Sequence, residues 1–213
     1  MALKNVKKSN KIRRIKQHFR KIDPILFPVL EKMELEPLAA AYGPAEYFPK
    51  LCREIISQQL GSGAARAILG RFVELFPKKR ITPTRVLTLS EKNLRATGMS
   101  WAKARYLRDL AQKTAAGEIH FKKFSEADDA FVISELTKVK GIGAWTAEMF
   151  LIFTLGREDV FSFGDLGLRR AFELLYGRRR ARTQKNMESI TKLWSPYRSY
   201  ASLALWHVWD SQK

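Results

Sequence analysis

Apolar residues recur at the spacing of an α-helix along almost the whole chain of 213 residues, and the alternation typical of half-buried strands is nearly absent. Segments with this spacing run over residues 25–35, 47–60, 64–76, 101–115, 128–139, 145–155, 166–176 and 195–209. N-capping residues at Thr82 and Ser90 mark two further helix starts. The pattern therefore predicts an all-α fold of about nine or ten helices.

The charge of the chain is strongly positive, with a formal net charge of +18 and a pI near 10.2. Such an excess indicates a polyanionic partner. Nine basic residues and no acidic residue lie in the first 21 positions. A second group comprises Arg178, Arg179, Arg180, Arg182 and Lys185. We interpret residues 1–21 as a basic N-terminal tail or helix, either simply solvated or contacting DNA, and residues 22–213 as the folded domain.

Several chemistries are excluded by residues that the chain lacks. Cys52 is the only cysteine, which excludes disulfides, zinc ribbons and a four-cysteine iron–sulfur cluster. His18, His120 and His207 lie far apart and show no metal-ligand spacing, so we expect no zinc. No apolar run has the length of a membrane span, and no secretory signal follows the basic start. We therefore expect no membrane association and no secretion.

A Gly-x-Gly turn between two helical segments is the first candidate binding site. The glycines Gly141 and Gly143 allow positive φ and a close approach of the backbone to a ligand. The amides of Gly141, Gly143 and Thr146 would then point outward at the start of the second helix, where a phosphate binds readily. The alternative is an ordinary corner between helices with glycine as the C-cap.

Asp165 is the candidate catalytic residue, and it precedes a helical segment that begins at Leu166. Its position predicts a helix N-cap. Amide hydrogen bonds and the helix dipole favour the charged form of a carboxylate there. A rigidly held carboxylate can stabilise the oxocarbenium ion that develops when a glycosidic bond breaks. From the residue alone, a purely structural cap remains the alternative.

Several motifs together resemble those of the helix-hairpin-helix DNA glycosylase superfamily, and most closely its 3-methyladenine DNA glycosylase II branch. The motifs are Ile55–Leu60, Gly98–Ala104, the Gly-x-Gly turn, Asp165–Ala171, Trp194–Ala201 and Leu205–Trp206. The resemblance implies the two-lobed, all-α HhH-GPD fold, with a central lobe at about residues 50–155 and a second lobe built from the N- and C-terminal helices. As a departure from the best-known bacterial enzyme of this branch, we expect a basic segment in place of its β-rich N-terminal domain. The single cysteine also predicts that no iron–sulfur cluster is present.

The resemblance also implies roles for individual residues. Asp165 corresponds to the essential aspartate, and Gly141, Gly143 and Thr146 correspond to the amides that hold the DNA phosphate. A monovalent cation, Na⁺ or K⁺, is also implied. Its ligands correspond to the backbone carbonyl groups of Thr137, Val139 and Ile142. No cofactor is required otherwise.

Aromatic residues have implied roles as well. Trp101 corresponds to the wedge that fills the gap left by an extruded nucleotide, with a core tryptophan as the alternative. Trp145 and Trp206 correspond to walls of the base pocket, although simple core packing is an alternative for Trp206. Met149 replaces an aromatic residue often found in that pocket, which softens its wall.

Two departures from the family pattern affect the expected chemistry. Relatives that also cut the DNA strand carry a nucleophilic lysine where this chain has Trp145, so the resemblance implies hydrolysis without AP lyase activity. The segment 161–164 lacks the proline often found before the aspartate, and we expect this to alter how stiffly Asp165 is held.

The predicted function is that of a monofunctional glycosylase that removes alkylated purines, of the 3-methyladenine and 7-methylguanine type, from duplex DNA at the start of base excision repair. The alternatives are a non-catalytic helix-hairpin-helix DNA-binding module and a glycosylase for another lesion. The expected partner is double-stranded DNA with alkylated bases, bound by a monomer in the nucleoid of the cytoplasm or in a nucleus.

Overall fold

The computed structural model describes residues 2–38 and 42–212, and every regular element in this part of the chain is helical. The prediction of an all-α fold is therefore confirmed. The α-helices of the described residues are α1 (Ala2–Ile22), α2 (Phe27–Lys32), α3 (Pro44–Ser57), α4 (Ser62–Glu74), α5 (Pro83–Thr88), α6 (Glu91–Ala96), α7 (Trp101–Ala115), α8 (Asp129–Thr137), α9 (Ala144–Phe153), α10 (Leu166–Tyr176), α11 (Arg178–Ala181), α12 (Gln184–Thr191) and α13 (Arg198–Asp210). Short 3₁₀ turns cover Pro77–Lys79, Phe121–Lys123 and Lys192–Trp194.

The chain divides into two compact units, of which the first is discontinuous in sequence. The first unit comprises Met1–Ala39 and Gly156–Lys213 and contains α1, α2 and α10 to α13. The second unit comprises Ala40–Leu155 and contains α3 to α9. Candidate site residues therefore occur in both units.

The described residues hold more helices than the nine or ten expected, because apolar spacing did not identify α1, α11 and α12. Cations dominate α1 and α11 and hide a narrow apolar stripe, whereas α12 is mostly polar, with Met187 and Ile190 as its only large apolar residues. Ile15 and Phe19 of α1 are nevertheless fully buried, and Ala181 of α11 is also buried. The basic N-terminal segment, left open as tail or helix, is thus helical over its described residues. The predicted caps at Thr82 and Ser90 are confirmed by hydrogen bonds from Arg85 N and Asn93 N.

The core of the first unit is built around aromatic side chains and one buried carboxylate. Phe19, Phe172, Trp194 and Tyr200 are all fully buried in it. Asp23 accepts hydrogen bonds from Tyr176 Oη and Trp194 Nε1, both at 2.6 Å, and from the N–H groups of Ile25 and Leu26 at 3.1 and 2.9 Å. A buried carboxylate with this many donors is fully satisfied. It ties α1, α10 and the 3₁₀ turn at Trp194 into one framework.

The core of the second unit contains a cluster of rings from Tyr47, Phe121, Phe124 and Phe150. Their centroids lie 5.4–6.1 Å apart, mostly edge to face, which is the preferred geometry of aromatic pairs. Cys52 lies in the same unit, where burial raises the pKa of its thiol. It is therefore a packed side chain without a nucleophilic role. Among the described residues, no helix combines the length and apolarity needed to cross a bilayer.

Candidate active site and phosphate-binding hairpin

The Gly-x-Gly turn lies in the second unit between the end of α8 at Thr137 and the start of α9 at Ala144. Gly141 has φ +83°, which is in the left-handed region. Its α-carbon lies against the ring of Tyr106, and a β-carbon there would be 2.1 Å from Tyr106 Cδ2. Both facts require glycine at position 141. The apolar Val139 and Ile142 are buried and anchor the turn.

The start of α9 offers backbone donors to an anion. Gly143 is its N-cap, has extended backbone angles (φ −94°, ψ 177°) and provides no side-chain cap. The first N–H groups of a helix, here up to Thr146, have no acceptor within the helix. Together with the positive end of the helix dipole they form a site for a phosphate or another anion.

Two side chains for which the sequence predicted no role hold this turn in place. Gln58 donates from Nε2 to Gly141 O at 2.9 Å and to Thr146 Oγ1 at 3.4 Å. Asp109 accepts from the N–H of Lys140 at 2.8 Å and pairs with Lys113 at 2.7 Å. Burial by itself would raise the pKa of Asp109, but the hydrogen bonds from Lys113 and Lys140 outweigh it and the pKa lies below its ordinary value. Asp109 is therefore an anionic anchor for the hairpin.

The loop that carries Gln58 is itself held by Lys103. The Nζ atom of Lys103 donates to the carbonyls of Ile56 at 2.8 Å and Gln58 at 2.6 Å. Burial lowers the pKa of this ammonium group. Gln58 lies in the motif Ile55–Leu60, but only the structure shows that its side chain reaches the hairpin, since the partners are 83 and 88 positions apart.

The carbonyl groups assigned to a monovalent cation belong to the same turn. Thr137 ends α8, and the last carbonyls of a helix have no partner within it. Val139 O accepts from the N–H of Ile142 at 3.1 Å, which leaves it a second lone pair. Three neutral oxygen donors suit a Na⁺ or K⁺ ion. Among the described residues, no cluster of histidine, cysteine and acidic side chains could hold a metal ion.

Two tryptophans of the second unit are exposed, although aromatic residues of this size usually contribute to a core. Trp101 is the first residue of α7 and is 46% exposed, so the alternative of a core tryptophan does not hold. Trp145 lies in the first turn of α9 and is 45% exposed. Met149 follows one helical turn later on the same face and is buried. The unit therefore presents two flat apolar surfaces at helix starts.

One lysine near the hairpin, Lys138, is engaged elsewhere. Lys138 pairs with the buried Glu135 and donates to Glu118 O at 3.2 Å. Burial would raise the pKa of Glu135, but the hydrogen bonds from Lys138 and from His120 lower it to about 2. Lys138 is thus the counter-ion of a buried carboxylate, a structural role rather than a nucleophilic one.

Asp165 lies in the first unit and caps α10, as the sequence predicted. Its Oδ1 accepts from the N–H of Leu168 at 2.8 Å and from Trp206 Nε1 at 3.2 Å, and the residue is 8% exposed. Glycine at position 167 leaves room for the carboxylate of Asp165, because a β-carbon there would lie 3.2 Å from Asp165 Oδ1 and 3.3 Å from Trp209 Cδ1. The structure thus brings Asp165 and Trp206 together, and Trp206 orients the carboxylate through its indole N–H.

The loop before Asp165 is held by hydrogen bonds to α13 in place of the missing proline. Ser199 Oγ accepts from the N–H of Val160 at 3.0 Å, and the N–H of Ser199 donates to Glu158 O at 2.9 Å. Arg198 forms two side-chain bonds to Asp159, at 2.8 and 3.1 Å. These contacts hold the segment that leads to Asp165, whose stiffness the missing proline is expected to alter.

The Asp159–Arg198 pair predicts an effect on stability that depends on pH. Burial would raise the pKa of Asp159, but hydrogen bonds from Arg198 and Ser195 outweigh it and the pKa lies below its ordinary value. The pair therefore stabilises the folded chain above the unfolded carboxyl pKa of about 4, and this contribution is lost as the pH falls through the folded pKa. We expect Asp159→Asn to lower the free energy of unfolding by about 1 kcal/mol at neutral pH and by less under acidic conditions.

Urea denaturation at a series of pH values measures this effect. Glu126→Gln, the same chemical change at an exposed carboxylate, serves as the control and should leave stability unchanged. A destabilisation by Asp159→Asn that stays constant as the pH falls would contradict the assignment.

Comparison with known proteins places the chain in a family. Residues 52–196, more than half of the chain, match the HhH-GPD superfamily, which is described as base excision DNA repair proteins. The chain belongs to the HhH-GPD superfamily. The resemblance inferred from its motifs, and with it the HhH-GPD fold, is confirmed.

Individual relatives carry related names. DNA-3-methyladenine glycosylase 1 of Schizosaccharomyces pombe is 34% identical over 170 residues, which cover 79% of this chain and 73% of the relative. The putative DNA-3-methyladenine glycosylase YfjP of Bacillus subtilis is 30% identical over 203 residues, which cover 92% and 69%.

Solved structures that resemble this chain carry names of the same kind. The crystal structure of DNA-3-methyladenine glycosidase from Bacillus halodurans has a TM-score of 0.78 and 35% identity, covering 93% of this chain and 89% of that one. The S. pombe 3-methyladenine DNA glycosylase Mag1, in complex with abasic DNA, has a TM-score of 0.75 and 29% identity, covering 91% and 95%.

Proposed function

We propose that this protein hydrolyses the N-glycosidic bond of alkylated purines, of the 3-methyladenine and 7-methylguanine type, in duplex DNA and so starts base excision repair. The observation that carries the proposal is the carboxylate of Asp165, fixed by the N–H groups of Leu168 and Trp206 in a member of a DNA-repair superfamily. The names of the relatives support the choice of alkylated bases as substrates.

The hairpin of the second unit supplies the DNA contact in this proposal. The amides of Gly141, Gly143 and Thr146 bind a phosphate of the strand that carries the lesion. The carbonyls of Thr137, Val139 and Ile142 would hold a Na⁺ or K⁺ ion, whose positive charge favours the same phosphate. Trp101, exposed at a helix start, inserts into the base stack when the damaged nucleotide is extruded.

The alkylated purine is positively charged when its N3 or N7 atom carries the extra group, and this makes it a good leaving group without a general acid. The bond between C1′ and the base nitrogen breaks, and its electron pair stays with the base, which leaves neutral. Asp165 stabilises the positive charge that develops on the sugar. Water then adds to C1′ and releases a proton, which yields an abasic site. The faces of Trp145 and Trp206, with Met149 as a softer contact, favour a cationic base.

We also propose that the reaction stops at the abasic site, because position 145 holds tryptophan instead of a nucleophilic lysine. Strand breaks in methylated duplex DNA should therefore appear only after hot alkali, and borohydride should trap no covalent complex between enzyme and DNA. Gel electrophoresis with and without alkali measures this. Strand cleavage without alkali that is abolished by a lysine substitution would contradict the proposal.

Release of free base from methylated duplex DNA tests the proposed function directly. With wild-type protein, we expect 3-methyladenine and 7-methylguanine to appear in the soluble fraction. We also propose that the enzyme acts as a monomer, on the DNA of a nucleoid or a nucleus. A chain that binds duplex DNA but releases no alkylated base would instead be a DNA-binding module or a glycosylase for another lesion.

A further inference from the structure

A row of arginines on the first unit has no role in the chemistry proposed for Asp165. It begins in the first turns of α10 and continues through α11, and we call it the arginine track. Its members are Arg169, Arg170, Arg178, Arg179, Arg180 and Arg182, all of them exposed. Between residues 169 and 185 the chain has seven cationic residues and one acidic residue, Glu173. So many like charges repel one another unless a polyanion covers them.

The local fold gathers the track on one surface. Gly177, with φ +85°, ends α10 and turns the chain directly into the single turn of α11, where Ala181 faces the core. Arg169, Arg170, Arg178, Arg179 and Arg182 line one groove with Glu173. The next turn is also held, because Asn186 Nδ2 donates to Arg179 O at 3.0 Å and its N–H donates to Thr183 Oγ1 at 3.2 Å.

Glu173 does not neutralise this surface. Its oxygens lie 3.7 Å from Arg170 Nη1 and 3.9 Å from Arg178 Nε, which are long separations, and both arginines are solvent-exposed. Such pairs contribute little. The side chain of Arg178 is 94% exposed, so its guanidinium group can be reached from solvent.

The residue type points to phosphate groups. The track consists of arginines, whereas six of the nine basic residues in the N-terminal segment are lysines. A guanidinium group binds phosphate oxygens in pairs and is more weakly hydrated than an ammonium group. The track also begins one helical turn after Asp165 and follows α10, whose eleven residues span about 16 Å. This length is enough to contact several phosphates along a DNA backbone.

We propose that the arginine track is a second binding surface for duplex DNA, which contacts backbone phosphates independently of base sequence or damage. The inference takes from the proposed function only that the polyanion is duplex DNA. The track would add affinity that depends steeply on salt and would hold undamaged DNA while the protein searches for lesions.

Binding of an undamaged duplex, followed by fluorescence anisotropy between about 50 and 200 mM salt, tests the proposal. The variant Arg178→Gln/Arg179→Gln/Arg182→Gln should reduce the slope of log affinity against log salt by about 3, one per lost phosphate contact. The control, Arg80→Gln/Lys92→Gln/Lys122→Gln, removes the same charge from exposed positions of the second unit and should leave the slope unchanged. Single-turnover base release with saturating protein should be the same for the track variant and the wild type.

Three results would overturn the proposal. An equal loss of affinity in both triple variants would mean that only net charge matters. A track variant that binds duplex DNA with the wild-type slope would mean that the track does not contact DNA. Polyglutamate provides the third result. If it binds to the wild type more tightly than duplex DNA does, and does not bind to the track variant, the partner of this surface is an acidic protein. Because the DNA is undamaged, the binding result is independent of whether the protein releases alkylated bases.

Discussion

Replacing Asp165 by asparagine should lower the rate of base release from methylated duplex DNA by on the order of 10²–10³-fold. Asparagine keeps the shape of the side chain and one oxygen that can accept from Leu168 N and Trp206 Nε1. It removes the negative charge that, in the proposed function, stabilises the developing positive charge on the sugar. Folding should be preserved, since asparagine is as good an N-cap as aspartate. The measurement is single-turnover release of 3-methyladenine, together with binding to duplex DNA that contains an abasic site.

A matched control is available at another aspartate cap. Asp128 caps α8 through a 2.7 Å bond from Phe131 N. Asp128→Asn makes the same chemical change at an N-cap to which we assign no catalytic role, and it should leave base release unchanged. Wild-type rates in Asp165→Asn would show that Asp165 is a structural cap alone. Equal losses in both variants would indicate a general effect of weakened capping.

Replacing Gly141 by alanine should destabilise the second unit by roughly 2–5 kcal/mol and weaken DNA binding at least about tenfold, because the hairpin must distort. Two effects add: the left-handed backbone at φ +83° disfavours a β-carbon, and that carbon would lie 2.1 Å from Tyr106 Cδ2. The amides that we propose bind phosphate lie on the turn that has to move. Thermal unfolding and anisotropy with undamaged duplex DNA measure the two effects.

Two other glycines separate the causes. Gly117 also has positive φ, +74°, but nothing lies within 4 Å of its hypothetical β-carbon, so Gly117→Ala should cost about 1 kcal/mol and spare DNA binding. Gly143 has extended backbone and the same open space, so Gly143→Ala should fold normally and keep its N–H. If Gly141→Ala is no less stable than Gly117→Ala, the contact with Tyr106 does not constrain the hairpin.

The candidate site was only partly predictable from sequence. Asp165 as a cap, the hairpin as a corner between helices and the starts of α5 and α6 depend on neighbours a few positions away, and the structure confirms all of them. Roles in DNA binding and base release came from the resemblance and stay predictions. The residues that hold the site in place were not predicted from the sequence. Gln58, Asp109 and Lys103 act on backbone groups distant in sequence, and an isolated polar residue carries no signal of such a partner.

The same distinction applies to the loop before Asp165. The absence of proline predicted only an altered stiffness of this loop, because a local motif carries no information about distant partners. The structure holds the loop through Ser199 and through the Asp159–Arg198 pair, about 40 positions further along the chain. Similarly, the sequence did not decide whether residues 1–21 form a tail or a helix, because the cations obscured the apolar positions. The burial of Ile15 and Phe19 in the core explains why this segment is helical.

By itself, the sequence determined the all-α fold, the family, the caps and the types of side chain at the proposed site, because helical spacing and capping are local and the motifs are contiguous. Tertiary structure decided how each functional group is held. It decided that Trp206 donates to Asp165, that Tyr106 requires glycine at 141, and that Trp101 and Trp145 are exposed. The physical reason is that burial and hydrogen-bond partners are set by segments far apart in the chain, and packing alone brings them together.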